Sequence, residues 1–135
     1  MKFGELSTGM TGEISKLVTG EDIDMFARAT GDVNPVHLDE NYASKTVFKH
    51  RIAHGMLSAG LVSAVLGTKL PGEGTIYLGQ ELKFTKPVYV GETVTARATV
   101  KELRADKKIV KLETVCVNQK GETVLEGNAV VKLLE

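Results

Sequence analysis

Residues 53–66 read AHGMLSAGLVSAVL, a run without a single Lys, Arg, Asp or Glu. It is long enough for a helix, and apolar or small residues fall on nearly every face, the pattern of a helix buried all round. Gly55, Ser58, Ala59, Gly60, Ser63 and Ala64 would let other backbone come close to its axis. A sheet wrapped around the helix needs that approach. Gly67 and Pro71 are placed to end it.

Beyond Pro71 the apolar period changes to two. Ile76, Leu78, Leu82 and Phe84 share one side of a first run, and Val94, Ala96, Ala98 and Val100 one side of a second. Val110, Leu112, Thr114 and Cys116 alternate in a third, and Leu125, Ala129, Val131 and Leu133 in a last, after a tight turn at Gly121. Before the central run, residues 13–18 read as a short strand. Thr19, with Asp22 three positions on, forms an N-cap pattern leading into Ile23, Phe26 and Ala27, and Gly31 should stop that helix. Residues 32–46 mix polar side chains with Asn34-Pro35, and the residue before a proline is pushed out of helical geometry. They read as an ordered loop with a turn of helix near Asn41. The sum is an α+β chain of one buried helix and about five antiparallel strands.

The 135 residues, 42% hydrophobic, suit a single domain spanning 1–135, with no room for a second. Lys plus Arg and Asp plus Glu both total 17, so no whole-protein field favours nucleic acid or an anionic membrane. The longest apolar stretch falls far short of the ~20 residues of a membrane span, and MKFGELSTGM carries no apolar signal core. A soluble protein that binds neither nucleic acid nor membrane is expected. Cys116 is the only cysteine, so no internal disulfide forms, and a reduced, cytoplasmic setting is the simpler reading. His37, His50 and His54 show no metal-ligand spacing, and Gly72 and Gly74 lack the Lys and Ser/Thr of a phosphate-binding loop. Neither a metal nor a cofactor is expected.

The segment Asp32-Val33-Asn34-Pro35-Val36-His37 puts a carboxylate, an amide and an imidazole within a loop stiffened by proline. An Asp and a His converging on one water can share two proton transfers, and positioned acid-base catalysis is typically worth ~10²–10⁴ in rate. Loop Asp and Asn also serve as turn formers, so the spacing by itself leaves both readings open. His54-Gly55 opens the central helix, where free N–H groups and the helix dipole favour negative charge. A carbonyl oxygen gaining charge could sit there; alternatively, Gly55 serves packing and His54 is a satisfied boundary histidine. Lys45, Lys49, His50, Arg51 and Lys86 could meet phosphates, though a solvated charged face is the simpler account.

Three ordered blocks carry a resemblance: GDVNPVHLD at 31–39, IAHGMLSAGLVS at 52–63 and YLGQELKFTKPVYVGETV at 77–94. The chain resembles the MaoC-like, or hydratase 2, group of hot-dog proteins, in particular the short (R)-specific enoyl-CoA hydratases. The resemblance implies an antiparallel sheet of about five strands around a long central helix. It also implies a homodimer or larger homo-oligomer with the sheet continuous across two subunits, and an acyl-CoA thioester as substrate. Asp32 and His37 would hold and activate a water, and the Gly55 N–H would bind the thioester oxygen. Asn34 would orient the loop or the water, and Ser63 would support the aspartate from behind. The implied reaction is reversible syn addition of water to a trans-2-enoyl-CoA, giving the (R)-3-hydroxyacyl-CoA. A hot-dog acyl-CoA thioesterase and a non-catalytic acyl-CoA-binding or accessory subunit are the competing readings, against which the intact Asp32, Asn34 and His37 set argues. Chain length, and CoA against acyl carrier protein, stay open.

Overall fold

A computed structural model describes residues 1–135. Its helices are α1 (Gly20–Thr30), α2 (Pro35–Leu38), α3 (Glu40–Ser44) and α4 (Gly55–Thr68). The strands are β1 (Thr11–Leu17), β2 (Thr75–Phe84), β3 (Thr93–Arg104), β4 (Ile109–Val117) and β5 (Thr123–Leu133). They form one antiparallel sheet in the order β1-β3-β4-β5-β2, so the first two strands in sequence are its edges. This is the α+β layout expected of a hot-dog fold.

The period-two reading holds best in the centre of the sheet. Val94, Ala96, Ala98 and Val100 of β3 are buried, as are Val110, Leu112, Thr114 and Cys116 of β4 and Leu125, Ala129, Val131 and Leu133 of β5. Onto this floor α4 lays Val62, Val65 and Leu66, each such side chain contributing about 1.5–3 kcal/mol by leaving water. Alanines along β3 keep the floor shallow enough for a helix axis to approach.

One expectation is corrected. The helix is not buried all round: Met56, Gly60, Ser63 and Gly67 lie on an open face, with Met56 54% exposed. Sequence records which residues are apolar but not which neighbour covers them, and one curved sheet covers one face of a helix. The first strand run departs in the same way. A bulge between Tyr77 and Gly79 shifts the β2–β5 register, and Leu78 is 53% exposed on this edge strand.

The N-terminal half follows its caps. Asp22 N–H donates to Thr19 Oγ1 at 3.1 Å while Thr19 N–H donates to Asp22 Oδ2 at 2.9 Å, the reciprocal capping box expected. Gly31 closes α1 with φ at 79°, a left-handed conformation that suits glycine. The turn of helix expected near Asn41 is α3, and a second short helix, α2, precedes it. Asn34 is the N-cap of α2, and Pro35 occupies its first turn, where a missing N–H costs nothing.

Candidate active site

Asp32, His37 and His54 come together at the N-terminal end of α4, each placing a side-chain polar atom within 4.8 Å of the others. Local turns set the first two. Asp32 N–H donates to Thr30 Oγ1 at 3.2 Å, Asn34 N–H donates to Asp32 Oδ1 at 3.3 Å, and Val36 N–H donates to Asn34 Oδ1 at 3.3 Å. Asn34 thus spends its oxygen on the first turn of α2.

His37 Nδ1 lies 2.7 Å from the carbonyl of Ile52. A carbonyl can only accept, so Nδ1 carries the proton and Nε2 keeps its lone pair. The acceptor is itself fixed, because Ile52 bridges to Tyr89 and Ala53 N–H donates to the Val88 carbonyl at 2.7 Å. Burial holds the His37 imidazole below its ordinary range; the Ile52 hydrogen bond opposes this, neighbouring His54 adds to it, and the Asp32 carboxylate opposes it. The side chain is 9% exposed.

Gly55 is the first residue of α4, so its N–H has no acceptor within the helix. A Cβ at this position would lie 2.7 Å from the Phe84 ring. Two cavities meet at this point. One, of about 710 Å³, runs between α4 and β2 and is lined by Asp32, His37, His54 and Gly55 with Phe26, Met56, Leu78 and Leu82. The other, of about 420 Å³, shares His37, Gly55 and Met56 and continues past Phe48, Phe84 and Pro87. A long substrate could therefore place its reacting centre at His37 and Gly55 with an arm on either side. In the larger cavity Tyr77 O–H donates to Gln80 Oε1, and Gln80 Nε2 donates to Thr114 Oγ1 at 3.0 Å and to the Glu81 carbonyl at 2.8 Å. These polar groups satisfy one another, and burial pushes the Tyr77 phenol up.

Ser63 shares the cavity wall but forms no hydrogen bond to Asp32. It lies eight residues beyond Gly55, about 12 Å further along the helix at 1.5 Å per residue. The His–His–Asp cluster does not fit a chelate. The two imidazoles stack with centroids 3.9 Å apart and planes 29° from parallel, whereas a shared ion must lie in both ring planes.

Sequence reasoning counted Arg51 with a charged face and missed its role. Its Nε donates to the His37 carbonyl at 2.6 Å and its guanidinium pairs with Asp24 at 2.9 Å, so this half-buried side chain ties α2 to α1. Nothing local announces this, since its partners lie 14 and 27 residues away. Of the other residues singled out, His50 Nδ1 lies 2.8 Å from the Glu40 carboxylate and Lys86 pairs with Glu122. The Arg51 N–H and then His50 hold the Glu40 carboxyl below the usual carboxylate range.

The family model described as MaoC like domain matches residues 4–123. An (R)-specific enoyl-CoA hydratase of Rhodospirillum rubrum is 50% identical over 129 residues, 96% of this chain and 89% of that protein. A 3-hydroxybutyryl-CoA dehydratase of Methylorubrum extorquens is 44% identical over 131 residues, 97% of this chain and 83% of that one. Among solved structures, an (R)-hydratase from Aeromonas caviae involved in PHA biosynthesis superposes with a TM-score of 0.92 at 46% identity, covering 95% of this chain and 97% of that one. On the length of the family match and these identities, the chain belongs to the MaoC-like family of hot-dog proteins.

Proposed function

We propose that this protein is an (R)-specific enoyl-CoA hydratase, adding water reversibly across the double bond of a trans-2-enoyl-CoA, with residues 1–135 acting as one domain. The names of its relatives support the substrate class. The observation that carries the mechanism is the tautomer of His37: with Nδ1 donating to Ile52, Nε2 keeps its lone pair on a ring that lines both cavities and has a nitrogen within 4.8 Å of an Asp32 carboxylate oxygen.

A water between Asp32 and His37 loses one proton to the pair as its oxygen bonds to C3, and the pair returns one proton to C2 on the same face. The catalyst ends in its starting state, and the water is divided into the two groups added. Between these events the thioester oxygen carries enolate charge, which the Gly55 N–H stabilises from the positive end of α4; one such donor is typically worth ~10²–10³ in rate. The two acid-base groups face one water, so the base and acid roles belong to the pair. Asn34 positions the loop. Ser63 contributes to the cavity wall.

We read the working form as a homodimer, since the open face of α4 and the exposed apolar side chains of edge strand β2 adjoin the cavity. No helix is long and apolar enough to cross a membrane. A reduced, cytoplasmic setting suits the lone Cys116, a buried thiol pushed up to about 12 by desolvation.

The test is loss of the enoyl-thioester absorbance with crotonyl-CoA, combined with chiral analysis of the product. Turnover to the (R)-3-hydroxy thioester supports the reading. Release of free CoA would replace it with a thioesterase, and binding without turnover of any enoyl-CoA would replace it with an acyl-CoA-binding subunit.

A further inference from the structure

We infer that His54 is a positioning residue, which sets Asp32 and His37 relative to each other by holding the backbone of one and the ring of its partner. The inference deepens the hydratase reading and rests on it for its kinetic consequences.

His54 stands at the N-cap of α4, where a side chain ordinarily accepts from the first helical N–H groups, yet it makes no such bond. Its imidazole turns back across the site. Nε2 lies 2.9 Å from the Asp32 carbonyl, 22 residues earlier in the chain, and because a carbonyl only accepts, Nε2 is the donor. One face contact is to His37, with centroids 3.9 Å apart, and the ring also packs on Phe26 at 4.7 Å. One side chain therefore touches both residues proposed to share the water, Asp32 through a hydrogen bond to its backbone carbonyl and His37 through stacking on its ring.

Space filling alone does not account for an imidazole here. His54 is 3% exposed, and with Nε2 committed to Asp32 its Nδ1 is buried without any partner. A leucine or phenylalanine would fill the volume without stranding a nitrogen, so the cost of that nitrogen is offset by the donor at the other side of the ring. Phe26 backs the ring, and Gly55 beside it begins the helix proposed to bind the thioester oxygen. His54 acts on the chemistry through Asp32 and His37.

Two variants separate the donor from the ring. His54→Phe keeps an aromatic ring for His37 and Phe26 but removes the hydrogen bond, whereas His54→Gln offers an amide N–H near the position of Nε2. With crotonyl-CoA, His54→Phe should lower kcat about 10- to 100-fold with KM within about twofold of wild type, as expected when reacting groups are misplaced without loss of binding. His54→Gln should recover most of the loss. Amide hydrogen exchange gives a readout independent of turnover: residues 33–37 should exchange faster in His54→Phe and return towards wild type in His54→Gln, with β3 to β5 unchanged. Wild-type kcat in folded His54→Phe, or equal damage from both variants, would overturn the inference. If His54→Phe does not fold, wild-type kcat and exchange in His54→Gln support it, and a tenfold change in either overturns it. If the wild-type protein hydrates no enoyl-CoA, the hydratase reading falls while exchange at residues 33–37 still decides whether His54 holds the loop.

Discussion

At the residue scale the proposed chemistry turns on His37, which is held by one backbone group and one side chain. Its Nδ1 is tied to Ile52, and its own carbonyl is tied to Arg51. Asp32→Asn and His37→Gln should each lower hydration of crotonyl-CoA by about 10²-fold or more, with the circular dichroism spectrum retained; near wild-type turnover in either would remove that residue from the mechanism. Because burial holds the His37 pKa below 6.5, the neutral base persists into mildly acidic solution, and the acid limb of kcat/KM should lie below the pH of free imidazole titration. The same shift links to stability. Above about pH 6.5 both folded and unfolded chains carry neutral His37; as pH falls from there towards the folded pKa, the unfolded chain binds the proton first and stability is lost. Thermal melts from pH 8 to 5 should show that loss in the wild type and a shallower one in His37→Gln; identical slopes would reject the assignment. Asp32, Asn34 and His37 were legible because their relation is local, within six residues of loop. Arg51 and His54 were not, because their meaning lies in carbonyls 14 and 22 residues away.

At the element scale, α4 and β2 decide what the site tolerates. A Cβ at Gly55 meets the Phe84 ring, so Gly55→Ala requires that ring to move before the helix N-terminus can work. We expect Gly55→Ala to lower kcat/KM and Phe84→Leu in the same chain to restore part of it. Gly55→Pro, which deletes the N–H itself, should abolish turnover in either background; an active, folded Gly55→Pro protein would end the oxyanion role. Gly127 on β5 is a sharper case. A Cβ there would stand 1.8 Å from the Glu81 carbonyl, a backbone atom with no room to yield, so Gly127→Ala should cost about 3 kcal/mol or more in urea unfolding. Alternation announced the central strands well, since β3, β4 and β5 each bury one face against the helix. It misled for β2, where the bulge after Tyr77 breaks the parity that relates Ile76 and Leu78 to Leu82 and Phe84. A bulge is decided by its partner strand, and no residue of β2 records that alone.

At the scale of the whole molecule, some apolar residues expected inside a single subunit are exposed instead. Met56, Ile76 and Leu78 are 54%, 39% and 53% exposed, and Met56 and Leu78 also wall the larger cavity. An apolar cavity open along one wall admits water that would weaken every electrostatic contact within it. A second copy pairing antiparallel along β2 would close that wall, satisfy the unpaired edge groups and extend the sheet, all without changing the subunit fold. The wild-type protein should therefore sediment at about twice 14.6 kDa. Ile76→Lys places a charge on the pairing edge without touching the cavity lining, so it should shift sedimentation towards 14.6 kDa and lower turnover in parallel. Turnover rising with protein concentration in that variant would tie the two losses together. A fully active wild-type monomer would show that one subunit closes its own site, and the exposed face of α4 would then need another explanation.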